Sequence, residues 1–229
     1  MERRYKSLYL TDEWDKIQSA METGEHVVPC LPLVKGPADA DLSHFSYVLE
    51  DAASVEEEYL DRIDARLSGK PIEILRTKRC VVREITLSDV DSLYEIYADP
   101  RITRYMENLY ADPDEERAYT RDYIKWHYDL LGFGMWIVED RQGRIIGRAG
   151  FDQKEEGVIE LGFMIRADEQ RKGYAYEVCS ALLFYGYSTY GWKGMKSRCH
   201  RDNEASIGLL KKLGFVPLRE EDNHIVWFT

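Results

Sequence analysis

No stretch of this 229-residue chain approaches the roughly 20 consecutive apolar residues that a helix needs to cross a bilayer. The opening residues MERRYKSLYLTDEWDK also lack the apolar core of a secretory signal. A soluble, cytoplasmic protein with no membrane partner is expected. Cysteine is scarce: Cys30, Cys80, Cys179 and Cys199 show no Cys-x-x-Cys spacing, and no paired histidines complete a zinc site. No metal is implied, and free thiols are expected. Positive charge is in deficit, with 31 Lys and Arg against 42 Asp and Glu and a net charge of -11. Neutralising phosphates needs clustered basic residues, so the composition argues against a general nucleic-acid binder and suits a cationic or amine partner better. Neither the G-x-x-x-x-G-K-[ST] loop nor a G-x-G-x-x-G run occurs, which sets nucleoside triphosphates and dinucleotides aside.

What is present is material for a packed core, 44% hydrophobic and 12% aromatic residues, in a chain long enough for one large domain or two smaller ones. The first part alternates: apolar Leu8 to Leu10, an amphipathic helix from about Asp12 to Met21, and a strand from His26 to Leu31, with Gly24 as separator. Phe45 to Leu49 reads as a further short strand, and Ser54 as the N-cap of a charged helix ending at Leu67. Ser68 to Pro71 breaks both kinds of element and is read as the linker, dividing a small α/β extension, residues 1–75, from a domain spanning 76–229. The Ala20 to Val28 run and FSYVLED at Phe45 to Asp51 resemble the tail of a haloacid-dehalogenase-type domain, but without an Asp-x-Asp nucleophile no phosphatase activity follows.

From Cys80 a strand to Ile85 meets Thr86-Leu87-Ser88-Asp89, a capping-box-like start for a helix presenting Val90, Leu93, Ile96 and Tyr97. Pro100 cannot continue that helix, and a second is expected from about Pro113 to Tyr128. Gly134 to Glu139, Arg144 to Phe151 and Val158 to Ile165 form an antiparallel meander turning at Arg141-Gln142-Gly143 and Glu156-Gly157. The period of two puts Ile159, Leu161, Phe163 and Ile165 on one face and Glu160, Gly162 and Met164 on the other. Next comes the turn Asp168 to Ala175 and a helix with Ala175, Val178, Leu182 and Tyr185 as its apolar stripe. Strand, tight turn and helix N-terminus together offer unpaired backbone N–H groups and a positive dipole end, a site for a pyrophosphate.

The E-L-G-F strand, the Q-x-x-G-x-A turn from Gln170 to Ala175, and the N-E-A-S…K-L-G-F helix from Asn203 to Phe215 occur in order. In this they resemble the GNAT superfamily of N-acetyltransferases, most closely the branch acting on ribosomal-protein N-termini, over about Thr77 to Thr229. The resemblance implies an α+β fold with a mixed, twisted sheet flanked by helices, acetyl-CoA as cofactor with coenzyme A as product, and direct attack of an amine on the thioester. It places the pantetheine arm along a bulge at Gly162, Phe163, Met164 and Ile165. Gln170, Arg171, Lys172, Gly173, Tyr174 and Ala175 would form the pyrophosphate turn, and Asn203 a further cofactor contact that also suits a helix N-cap. Glu160 matches the general base, with a structural pairing to Arg148 as the alternative. Leu210 stands where many relatives carry an acidic Tyr, which leaves Ser206 as thiolate proton donor or as a hydroxyl bonding the local backbone. Tyr105, Glu107 and Tyr119 fall in the loop and helix that build the acceptor end and could bind an ammonium, although roles as ordinary surface and core residues of a helical hairpin suit them better. The acceptor is a small-molecule amine or a protein N-terminus, dimerisation is left open, and the rival reading is a non-catalytic acyl-CoA sensor.

Overall fold

The computed structural model describes residues 2–34, 36–37, 40–50, 53–155 and 157–229, with the side chains of Lys154 and Glu155 excepted. Asp51, the last residue of FSYVLED, and Glu156 of the expected turn lie outside the described residues. The chain divides into two compact units, Met1–Ile72 and Glu73–Thr229.

In the first unit β1 (Glu2–Tyr5) pairs antiparallel with β2 (Leu8–Glu13), and β2 pairs in parallel with β3 (His26–Val34) across α1 (Trp14–Thr23). Strand alternation separates two small cores. Leu8 and Leu10 join Leu60 and Ile63 of α2 (Glu57–Leu67) on one face, while Tyr9 meets Ile17 and Ala20 of α1 on the other. Two expectations fail here. Of the Phe45 to Leu49 segment only Leu49 reaches a strand, in an isolated bridge to Cys30. The α2 helix starts at Glu57 with Glu56 at its N-cap and no side-chain cap, so Ser54 stands too far upstream to cap it.

The second unit runs β4 (Glu73–Arg76), β5 (Cys80–Arg83), α3 (Val90–Tyr97), α4 (Pro100–Thr103) and α5 (Pro113–Tyr123), the last continuing as a π-helix over Ile124–Leu131. Strands β6 (Met135–Asp140), β7 (Ile145–Glu155) and β8 (Val158–Ile165) form the meander. Then come α6 (Tyr174–Thr189), β9 (Lys196–His200), α7 (Glu204–Lys212), β10 (Val216–Glu221) and β11 (His224–Phe228). The eight strands form one sheet in the order β10-β11-β9-β8-β7-β6-β5-β4, parallel only between β8 and β9. This is the mixed sheet flanked by helices that the resemblance implied. Pro100 opens a short helix of its own, its missing N–H being no loss at a first helical position. Strand β4 had no strong signal in sequence, being four residues long with a half-exposed pattern.

Alternation gives the sheet two unlike faces. Trp136, Phe151 and Leu161 turn toward α6, where Trp136 meets the Tyr185 ring edge-on at 6.0 Å. Arg148, Asp152 and Glu160 turn toward α5 and its π-helical extension. Two tyrosines anchor that extension to one strand residue: the Tyr128 hydroxyl donates to the Met135 carbonyl at 2.6 Å, and the Met135 N–H donates to the Tyr123 hydroxyl at 2.6 Å. Residues five apart share a side of a π-turn but not of an α-turn, which accounts for the change of helix type directly after Tyr123.

The 3-10 turn Leu87–Asp89 that leads into α3 is fixed by charge. Thr86 and Asp89 form the expected capping box, the Thr86 N–H donating to Asp89 Oδ2 at 2.7 Å. Arg83 adds two bonds to the same carboxylate, at 2.7 and 2.8 Å, and reaches Glu139 at 2.6 Å. Burial pushes the Asp89 pKa up, but Arg83 and the Thr86 N–H outweigh it and hold the carboxyl below the usual aspartate range. A folded pKa below the unfolded value of about 3.9 means that this stabilisation is complete above that value and is lost as pH falls through the lower, folded one. Asp89→Asn, which leaves Arg83 short of a buried partner, is expected to cost about 3 kcal/mol in urea unfolding at neutral pH, with the deficit shrinking below about pH 4.

Candidate active site

Parallel neighbours β8 and β9 share a single ladder pair, Glu160 with Lys196. One side-chain bond reinforces it, from the Ser197 hydroxyl to the Leu161 carbonyl at 2.9 Å. Beyond that point the strands part. The bond from Arg166 N–H to the Ile146 carbonyl, 2.9 Å, sets the phase of the β7 ladder. With residues alternating between bonded and non-bonded pairs, Leu161, Phe163 and Ile165 turn their main-chain groups away from β7, into the gap. The Ile165 carbonyl is taken by Gln170 Nε2 at 2.9 Å, so the N–H and C=O of Phe163 and the N–H of Ile165 remain to face it. The expected bulge over Gly162 to Ile165 is absent from the β7 ladder: register runs unbroken from Gly147↔Ile165 to Asp152↔Glu160 and shifts only between Asp152 and Glu155. Free backbone groups arise from the parting of two strands instead. The expected alternation holds through Ile165 in this unbroken register, with Met164 on the Glu160 face yet buried and Phe163 on the Leu161 face yet only half-buried. A Cβ on Gly162 would lie 2.9 Å from Met135 Sδ, so a larger residue there would require that flexible side chain to shift.

At the far end of β8 the chain enters the turn. Arg171 has φ 63° and Gly173 φ 85°, both left-handed, and Gly173 is the N-cap of α6 with no side chain bonded to the helix's first N–H groups. A non-glycine residue in that region carries strain, which is common in ligand clamps. The turn is braced from behind by a residue that the sequence did not single out. Arg79 donates to the Lys172 carbonyl at 2.9 Å and to Glu177 at 2.7 Å, and its guanidinium lies 4.3 Å from the Tyr174 ring centre. Glu177 also accepts from the Thr77 hydroxyl and the Arg79 N–H, each at 2.7 Å. No short-range pattern points to this brace, since it joins residues 98 apart.

The later helix contributes Asn203, whose side chain accepts from the Ser206 N–H at 3.1 Å and so caps α7. The Ser206 hydroxyl makes no hydrogen bond among the described residues, contrary to the backbone-bonding alternative. Leu210 is fully buried in the core. Tyr105 bonds the Asp202 carbonyl at 3.1 Å and stacks on His200 at 5.1 Å, which brings it to the end of β9. Glu107 is exposed, and no hydrogen bond or ion pair among the described residues brings it to the others.

Glu160 lies on the face covered by α5. Its register partners are Asp152 on β7 and Lys196 on β9, and Lys196, Arg198 and Arg219 line the same hollow. Arg148 stands opposite Met164 among Tyr97, Tyr123 and Tyr128, so the alternative pairing of Glu160 with Arg148 does not form. The Asp152 carboxylate approaches His127 on the π-helix at 4.0 Å, and His127 stacks on Tyr123 at 3.9 Å and 15°. Tyr119, one turn up, lies 6.1 Å from Tyr123.

A model of the acetyltransferase (GNAT) domain matches residues 79–216. The chain belongs to the GNAT family. An uncharacterized N-acetyltransferase, p20 of Bacillus licheniformis, is 31% identical over 150 residues, 63% of this chain and 83% of p20. An acetyltransferase from Agrobacterium tumefaciens superposes with a TM-score of 0.59 at 22% identity, covering 69% of this chain and 94% of its own. RimL, a ribosomal L7/L12 alpha-N-protein acetyltransferase solved with coenzyme A, gives 0.59 at 17% identity, covering 69% and 96%.

This GNAT chain is thus an acyltransferase, of a family that uses acetyl-CoA, and among the described residues no helix is long and apolar enough to cross a membrane. Its residues fit that cofactor on two counts: unpaired strand groups at Phe163 and Ile165 suit an amide-bearing arm, and the uncapped start of α6 suits an anion. Gly173→Glu, which forces a carboxylate and a strained φ into the turn, is expected to raise the acetyl-CoA Kd on the order of 100-fold in calorimetric titration, about 2.7 kcal/mol. Arg79→Ala, which removes the brace without altering the turn's own residues, should cost about tenfold.

Proposed function

We propose that the enzyme moves an acetyl group from acetyl-CoA to a primary amine, by direct attack of the amine on the thioester. The observation that carries this reading is the parting of β8 from β9 directly beyond Glu160, in line with the uncapped α6 N-terminus. Bound acetyl-CoA supplies an activated acyl group. Within Gly162 to Ile165, the free main-chain groups of Phe163 and Ile165 would align the arm, and the N–H groups of Arg171, Lys172, Gly173, Tyr174 and Ala175 would hold the pyrophosphate. Gln170 acts by tying the turn to Ile165, and Asn203 by fixing the start of α7. Glu160 takes a proton from the attacking nitrogen, and the uncommitted Ser206 hydroxyl returns one to the departing thiolate.

Energetics rank the two proton transfers. A thiol near pKa 8.5 leaves readily at neutral pH, so the loss of the usual Tyr at Leu210 is tolerable. Deprotonating an α-amine near pKa 7.7–8.0 costs about 1 kcal/mol at pH 7, whereas a lysine near 10.4 costs roughly 4.6. An α-amine therefore asks less of the site, and RimL acts on a ribosomal protein's α-amine. Peptide N-termini are accordingly the first acceptors to try, with small-molecule amines next. Tyr105, at the end of β9, and Tyr119, beside Tyr123, are the aromatic rings offered to the ammonium. Glu160→Gln is expected to lower kcat about 100-fold with acetyl-CoA affinity unchanged, and wild-type turnover from the variant would remove Glu160 from the mechanism.

A further inference from the structure

Converting a protonated amine to an amide removes two protons from one nitrogen, yet the reading above supplies a single base. A second group stands on the same face. His127 Nε2 and Asp152 Oδ1 are 4.0 Å apart, too far for a direct hydrogen bond. Two hydrogen bonds of about 2.8 Å from one nitrogen, at about 90–110°, span roughly 4.0–4.6 Å, so the gap accommodates a single ammonium group bonded to both atoms. Asp152 is the direct cross-strand partner of Glu160, which puts this gap beside the proposed base. The approach is aromatic, past Tyr119 and Tyr123, as suits a cation. Both side chains are partly open, 28% and 36% exposed, so a ligand can reach them.

We propose that the acceptor's ammonium group docks between His127 Nε2 and Asp152 Oδ1, and that His127 takes its first proton. This rests on the acyl-transfer reading. The neutral amine then attacks the thioester carbonyl, a C–N bond forms, the second proton passes to Glu160, and the C–S bond breaks with its electron pair on the thiolate. One proton returns to the thiolate, and the net release is one proton to solvent. Titratable and charged groups around the imidazole are Asp152 and Arg148 on β7, Glu160 on β8, and Tyr119 and Tyr123 on α5. Burial lowers the His127 pKa against the pull of Asp152 and the Tyr123 carbonyl, which keeps the ring neutral and able to accept at pH 7. Such a base matches an α-amine or another weakly basic primary amine, not a lysine.

Two readouts test this. Ring NMR signals of His127, assigned through His127→Gln, are followed as ethylammonium chloride is titrated against sodium chloride at equal ionic strength. A saturable shift in the wild type that Asp152→Asn abolishes is expected; no shift in the wild type overturns the subsite. With an amine that the wild type acetylates, His127→Gln should lose on the order of 100-fold in kcat/KM and move the acid limb of its pH profile, at unchanged acetyl-CoA affinity. Retention of wild-type kcat/KM and profile overturns the role of His127 as base. A wild type that fails to bind acetyl-CoA contradicts the transfer reading alone, and the ethylammonium titration still decides the subsite.

Discussion

The architecture turns on the separation of two parallel strands that remain neighbours in one sheet. A buried strand normally satisfies its backbone groups on both sides, and leaving several unpaired is costly unless water or a ligand takes them up. Strand β8 satisfies one side completely through β7 and the other only as far as Glu160 and Leu161. The remaining N–H and C=O groups form a binding edge that needs no specialised side chain. Ser197 marks the last tie between the strands, and the Gln170 amide closes the far end by taking the Ile165 carbonyl. Between those two bonds lies the length of strand available to an extended ligand.

Everything else near the cleft holds that edge or its two ends in place. The brace of Thr77, Arg79 and Glu177 sets the turn, so that a strained Arg171 and an uncapped helix start can persist. On the opposite face, Tyr123 and Tyr128 fasten the π-helix to Met135, the residue whose side chain also packs over Gly162. One strand residue thus couples the acceptor-side helix to the cofactor-side strand. The same anchoring carries His127 down onto Asp152, beside Glu160.

Local devices were legible in the sequence and long-range ones were not. The Thr86–Asp89 capping box, the Gly173 turn, the meander and the Asn203 cap each depend on residues within a few positions of one another. Arg79 with Glu177, and His127 with Asp152, depend on distant segments meeting, and neither residue type stands out alone. The π-helix was hidden because Tyr119, Tyr123 and His127 at four-residue spacing read as α, and only the bonds to Met135 favour the wider turn. A bulge over Gly162 to Ile165 was expected by resemblance, whereas the free backbone groups come from a missing neighbour, which a single strand's sequence cannot encode. Ser54 failed as a cap because proximity to a charged segment does not fix where a helix begins.

The most direct measurement is amide hydrogen exchange across Leu161 to Ile165, with and without saturating acetyl-CoA. The Phe163 and Ile165 amides should exchange readily in the free protein and become protected when acetyl-CoA binds, while those of Gly162 and Met164, already bonded to β7, change little. Equal protection of Phe163 and Ile165 in both states would contradict the open strand edge as the cofactor site.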